Sequence, residues 1–144
     1  MTIKEIQEEI IEEFAVFDDW IDKYEYLIEI GKELPEISEK DKTKENLIEG
    51  CQSKVWLNAS FENGVINFTA DSDAIITKGI VALLIKVLSN KKPQEIIDCE
   101  LYFIDKIGLR ENLSPTRSNG LLAMMKQMKL YAIAYKTKSS SDKN

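Results

Sequence analysis

The stretch from Val55 to Leu88 constrains the fold of this 144-residue chain more than any other. Val55-Trp56-Leu57-Asn58-Ala59-Ser60-Phe61 alternates like a strand, Asn63-Gly64 follows, and Val65-Ile66-Asn67-Phe68-Thr69 is again β-rich. Asn-Gly between two such runs is the strongest short-range hairpin signal, because the tight turn that suits twisted strands needs residues tolerating positive φ. Asp71-Ser72-Asp73 then offers N-cap oxygens for a long, strongly apolar helix reaching Leu88. Ile76, Ile80, Leu83, Leu84 and Val87 form its inner stripe, and Val81 and Ile85 widen it. A helix this apolar is expected at the centre of the molecule, with its face covering the hairpin.

The flanking segments supply further helices. Ile3, Ile6, Ile10 and Phe14 recur at helical spacing between Thr2 and about Phe17, and Thr2 with Glu5 forms a capping box. A second helix is predicted from Asp18 or Asp19, with Trp20, Tyr24, Leu27 and Ile28 on one face and Gly31 as its C-cap. The two can pack as an antiparallel hairpin. The charged stretch Lys32 to Asn46, with Pro35, reads as a surface loop, and Leu47-Ile48 offers a third strand. Pro93 opens a short helix to about Cys99, and another covers Tyr102 to Ile107. Ser114 as cap and Pro115 at the first position start a final helix carrying Leu121, Met124, Met125, Met128, Tyr131, Ala132 and Tyr135. The methionines read as core fillers. The expected fold is of the mixed α/β (α+β) class, a small antiparallel sheet built on one β-hairpin and packed by several helices. One domain spans residues 1–136, and the polar residues 137–144 are expected to be a disordered tail.

Composition narrows the chemistry. The net charge is -6 and no Lys/Arg-rich run exists, which argues against nucleic acid or an anionic membrane as direct partner. The longest apolar stretch, Ile80 to Ile85, is far too short to span a bilayer. The first nine residues are polar and acidic, unlike a secretory signal, and two cysteines make no disulfide framework. A reducing cytoplasmic compartment is therefore expected. The chain has no histidine, which removes Ser-His-Asp and Cys-His catalysis, His-ligated metal and any imidazole base. Two cysteines cannot complete a structural zinc site or hold an iron–sulfur cluster within one chain. No metal site and no bound cofactor are expected.

Cys51 is then the best-placed nucleophile. It follows Gly50, lies in the polar run Gly50-Cys51-Gln52-Ser53, and directly precedes the first strand. A thiol at a loop-to-strand junction is held at one end and exposed at the other, as suits a thiol handed to a partner. A small buried core cysteine is the plainer alternative. Because the hairpin folds back, Asp71 and Asp73 return close to Cys51, and so does the N-terminus of the central helix. That terminus favours a thiolate, whereas the two aspartates oppose it unless they are occupied as caps. Arg117 sits in the first turn of the last helix, where the dipole disfavours a cation. It either bridges a carboxylate such as Asp71 or Asp73 or orients the Cys51 loop or a partner. Trp56 suits either the core or an interface, and Gly79 permits close helix packing. Cys99 reads as a buried structural thiol.

Gly50-Cys51-Gln52-Ser53-Lys54-Val55-Trp56 resembles the GCQS-x-VW segment of the SufE family. Asp71-Ser72-Asp73-Ala74 with Lys78-Gly79, and Leu113-Ser114-Pro115-Thr116-Arg117 with Gly120-Leu121, are similar to that family's second and third motifs. Trp20, Tyr24 and Gly31-Lys32-Glu33-Leu34-Pro35 extend the likeness, which covers nearly the whole chain to about Tyr135. The resemblance implies an IscU-related α/β fold and a role as sulfur acceptor. A pyridoxal-phosphate cysteine desulfurase (SufS-like) would pass persulfide sulfur to Cys51 and be stimulated by its removal. The sulfur would go on to an iron–sulfur assembly scaffold (SufBCD-like). Gly50, Gln52, Ser53, Asp71, Asp73 and Arg117 would shape the loop or bind the partner. Such a protein is a transfer partner rather than an enzyme. A redox sensor with a Cys51–Cys99 bridge, or a non-catalytic interaction module, is the alternative. The resting Cys51 side chain is expected to tuck against an apolar patch and swing out on docking.

Overall fold

The computed structural model describes residues 1–35, 37–51 and 53–142. Strands β1 (Val55–Glu62) and β2 (Val65–Ser72) form an antiparallel hairpin in the register Val55↔Ser72 to Glu62↔Val65. Asn63 and Gly64 both take positive φ at its turn, as the Asn-Gly signal requires. Leu47-Ile48 does not add a strand. Leu47 makes one isolated bridge to Trp56, and the Ile48 N–H donates to the Val55 carbonyl at 2.9 Å, before the chain turns away at Gly50.

Among the described residues six α-helices flank the hairpin: α1 (Ile3–Ala15), α2 (Trp20–Lys32), α3 (Ile75–Leu88), α4 (Pro93–Asp98), α5 (Phe103–Lys106) and α6 (Pro115–Asp142). Thr2 and Glu5 form the reciprocal capping box of α1, and the Asp19 side chain caps α2. Helix α3 packs against α1, α2, α6 and β2, so the most apolar segment is indeed the centre. Ile80, Leu83, Leu84 and Val87 of its stripe are all at most 2% exposed.

Gly31 does not end α2. The helix continues through Lys32, and Gly31 is buried where α2 crosses α3. A Cβ on Gly31 would stand 2.9 Å from the Gly79 nitrogen, and one on Gly79 would overlap the Leu27 carbonyl oxygen. Two glycines facing each other let the helix backbones touch, which is a packing demand and not a cap. Helix α6 runs on to Asp142, into the stretch expected as a disordered tail. Neither Pro nor Gly interrupts it there, and the Thr137 hydroxyl donates back to the Ile133 carbonyl at 3.0 Å. Tyr135 fastens α6 to β1: its hydroxyl donates to the Ala59 carbonyl at 3.0 Å, and its ring stacks on Phe61.

Candidate functional site

Cys51 is seated on α6 by two glycines. Gly50, at φ +93°, adopts a backbone that L side chains rarely take, and so turns the chain toward that helix. The Cys51 thiol, half-buried, donates to the Gly120 carbonyl at 3.6 Å. Gly120 is buried beneath it, and a Cβ there would lie 3.3 Å from the sulfur. The thiol lines a cavity of about 330 Å³ together with Ser53, Thr77, Ile80, Arg117 and Met124. Ile80 and Met124 are the apolar side chains of that lining.

Burial pushes the Cys51 thiol above its usual range. Helix α3 does contribute Thr77 and Ile80 to the cavity, as the folded-back hairpin requires. The polar contact of the sulfur, however, is a carbonyl and not a helix N-terminal N–H. A carbonyl accepts from S–H and opposes the thiolate, the same direction in which burial acts.

The two aspartates are not helix caps. Ala74 is the N-cap of α3, and its N–H donates to the Ser72 hydroxyl at 3.2 Å. Asp73 closes the open end of the hairpin: its carboxylate accepts from the Lys54 N–H at 3.0 Å, and its own N–H donates to the Lys54 carbonyl at 3.2 Å. That clamp lies three residues from the thiol. Asp71 pairs with Trp56 across the ladder, accepts from the Ser72 N–H at 2.8 Å, and binds Lys42 at 3.1 Å and Lys78 at 3.4 Å. Burial alone would raise its carboxyl, but the Ser72 N–H and the two ammonium groups outweigh it and hold the carboxyl below its ordinary value. Lys42 also lies over the Trp56 ring, 5.5 Å from its centroid. The loop leading to Cys51 is thereby pinned to the sheet through Lys42, and the sheet to α3 through Lys78. Trp56 is half-buried with Lys42 over its ring, so it is not a full core residue.

Arg117 stands exposed on the cavity rim, one turn before Gly120. The bridge to Asp71 or Asp73 is not formed, because Asp71 is engaged by two lysines and Asp73 by the Lys54 backbone. Ser114 caps its helix, accepting the Arg117 N–H at 3.3 Å. Gln52 lies outside the described residues. Lys42 carries no signal in the sequence, whereas Lys78 and Gly120 stand in the second and third motifs without a role assigned to either. A glycine inside an otherwise apolar-periodic helix marks a close approach.

Cys99 is half-buried at the end of α4, its thiol donating to the Ile96 carbonyl at 3.2 Å. It lines a different cavity of about 880 Å³ with Val65, at the turn end of β2. Cys51 adjoins the opposite end, where Val55 pairs with Ser72. Seven strand steps put on the order of 20 Å between those ends, and a disulfide needs Cα atoms within about 7 Å. The Cys51–Cys99 bridge of the redox alternative does not fit this fold. Among the described residues, no group of three or more His, Cys, Asp or Glu is placed to hold a metal ion, and no helix is long and apolar enough to cross a membrane.

A family model described as SufE, Fe-S metabolism associated domain, matches residues 8–132. An uncharacterized SufE-like protein of Rhizobium etli is 45% identical over 127 residues, covering 85% of this chain and 86% of that protein. SufE-like protein 1, chloroplastic/mitochondrial, of Arabidopsis thaliana is 40% identical over 136 residues, covering 94% of this chain and 37% of the plant protein. The solution structure of a hypothetical protein from Thermus thermophilus shares the fold, with a TM-score of 0.76 at 19% identity over 92% of this chain and 96% of that one.

Proposed function

From the premise that the chain belongs to the SufE family, we propose that it is a sulfur carrier whose Cys51 accepts persulfide sulfur from a pyridoxal-phosphate cysteine desulfurase. The observation that supports this most is the seat of Cys51. Among the described residues the thiol's hydrogen bond is one long contact to the Gly120 carbonyl, next to a positive-φ glycine, and the thiol lines a small cavity.

The transfer is a thiol exchange with no net oxidation. The Cys51 thiol gives up its proton, and its sulfur attacks the outer sulfur of the donor's persulfide. The bond between the donor's two sulfurs breaks, the donor leaves as a thiolate, and it is reprotonated. Cys51 then carries the persulfide. Nothing in this step requires histidine, metal or a cofactor on this chain. A protonated, half-buried thiol resists stray oxidants at rest, and the donor's own groups take the proton on docking. Gly50 and Ser53 shape the loop, Asp71 and Asp73 fix its two flanks, and Arg117 waits at the rim for the partner. Removing sulfur from the donor frees it for the next turnover, so this chain stimulates the desulfurase without being an enzyme itself. The sulfur passes on to an iron–sulfur assembly scaffold. The exchange needs reduced thiols, as the cytoplasm provides.

The test is desulfurase turnover in the presence of wild-type chain or Cys51→Ser. Stimulation by the wild type and its loss in Cys51→Ser, with the variant still folded, is expected. Equal stimulation by both would leave an interaction module whose Cys51 is structural.

A further inference from the structure

Among the described residues that line the thiol cavity, Thr77 carries the one buried hydroxyl. It is 8% exposed, in the first turn of α3, and Ile80, three residues on along the same face of the helix, lines the cavity with it. The other hydroxyls of the lining belong to Ser53, Ser114 and Thr116, which are half-buried or exposed, where solvent reaches them. The Thr77 hydroxyl makes no hydrogen bond among the described residues, not even the bond back to the carbonyl four residues earlier that Thr137 makes. Every fully enclosed side-chain oxygen of the described residues has a partner, so this hydroxyl is open to the cavity. A hydroxyl held in a buried place without a partner is costly, and the cost is recovered when an occupant accepts from it.

The lining suits a negative charge. Arg117 is its one charged side chain among the described residues, and no carboxylate joins it, in a chain of net charge -6. Loading of Cys51 brings such a charge. The unloaded thiol donates to the Gly120 carbonyl at 3.6 Å. In a persulfide the inner sulfur carries no hydrogen, so that bond is lost. The outer sulfur lies about 2 Å further along and gives up its proton more readily than a thiol does. A carbonyl repels this anion, whereas a hydroxyl donates to it. Gly120 stands on α6 and Thr77 on α3, and the cavity between them, about 330 Å³, has room for one more sulfur.

We propose that the Thr77 hydroxyl holds the carried sulfur, donating to the outer sulfur of the Cys51 persulfide from the α3 wall of the cavity. Loading thus moves the polar contact of Cys51 from α6 to α3. This rests on the sulfur-acceptor reading and adds a residue that reading does not use. The bond exists in the loaded chain alone, so the unloaded thiol is indifferent to it.

The experiment compares wild type, Thr77→Val, which keeps the shape without the hydroxyl, and Thr77→Ser, which keeps the hydroxyl. Each is loaded by a cysteine desulfurase with L-cysteine, separated from it, and challenged with glutathione while intact mass follows the extra sulfur. Thr77→Val is expected to lose that sulfur about fivefold faster than wild type, and Thr77→Ser within about twofold of it. Alkylation of unloaded Cys51 should be the same in all three. Loss so fast that Thr77→Val never shows the extra sulfur, while Thr77→Ser does, is the same result carried further. Equal lifetimes in wild type and Thr77→Val overturn the role of Thr77 and leave the acceptor reading standing. Equal shortening in Thr77→Val and Thr77→Ser, or a changed alkylation rate of the unloaded thiol in Thr77→Val, ties the effect to packing and overturns that role as well. Failure of the wild type to take sulfur from an active desulfurase overturns both.

Discussion

The two cysteines of this molecule are alike in burial and in the kind of group each thiol meets. Each is half-buried, each donates to a carbonyl, and burial raises each thiol. They differ in what holds them. Cys99 donates to Ile96, three residues back at the end of its own helix, and its carbonyl accepts from Lys129 Nζ at 2.6 Å. Cys51 reaches Gly120, 69 residues away, from a loop that turns on Gly50. A local seat opens only when its helix end frays, whereas a tertiary seat opens when two elements part. Burial alone does not separate the two thiols. The sequence distance of the restraint does.

Five substitutions and a titration break or sharpen this contrast. The largest effect is expected for Cys51→Ser, which abolishes sulfur acceptance, whereas Cys99→Ser retains it. Equal loss in both would erase the distinction. Gly79→Ala comes next, because the new methyl overlaps the Leu27 carbonyl and forces α2 and α3 apart. It should cost roughly 3 kcal/mol, read by denaturant unfolding. Alkylation of both thiols should accelerate together, since the shared scaffold opens globally. Gly120→Ala should separate them. Its Cβ, 3.3 Å from the Cys51 sulfur, displaces that thiol by a few tenths of an ångström. Cys51 alkylation should rise about fivefold with Cys99 unchanged. The smallest effect is that of Asp71→Asn, which releases Lys42 and Lys78 at a cost of about 1 kcal/mol and modestly speeds Cys51 alone.

Titration gives the sign of the last term. The folded Asp71 carboxyl lies below its unfolded value, about 3.9 in a free chain. Its contribution is therefore complete above that pH and is lost as pH falls through the folded value. Asp71→Asn should flatten this acid limb, and an unchanged limb would remove Asp71 from the account. The thiols run the other way. Their raised values favour S–H in the folded chain, so native alkylation profiles should lie at higher pH than those of the chain in denaturant.

Much of this was legible because local rules and tertiary packing agree. The Thr2/Glu5 box, the Asn63-Gly64 turn, the apolar helix ending at Leu88 and the Ser114-Pro115 start each carry their reason within a few residues. The misreadings fall where one residue type serves two purposes. Gly31 stands where a helix cap is plausible, but its partner is Gly79 on another helix. Asp71 and Asp73 stand before a helix, but their oxygens go to lysines and to a strand N–H. Cys51 was visible from its own segment. Its seat on Gly120 was not, because nothing in a sequence pairs residues 69 positions apart.

Intact mass measurement tests the central claim most directly. The chain is incubated with a cysteine desulfurase, its pyridoxal phosphate and L-cysteine, then weighed before and after reductant. The account predicts a gain of one sulfur atom that reductant removes, present in Cys99→Ser and absent in Cys51→Ser. A wild-type chain that gains no mass beside an active desulfurase, or a gain that persists in Cys51→Ser, would contradict it.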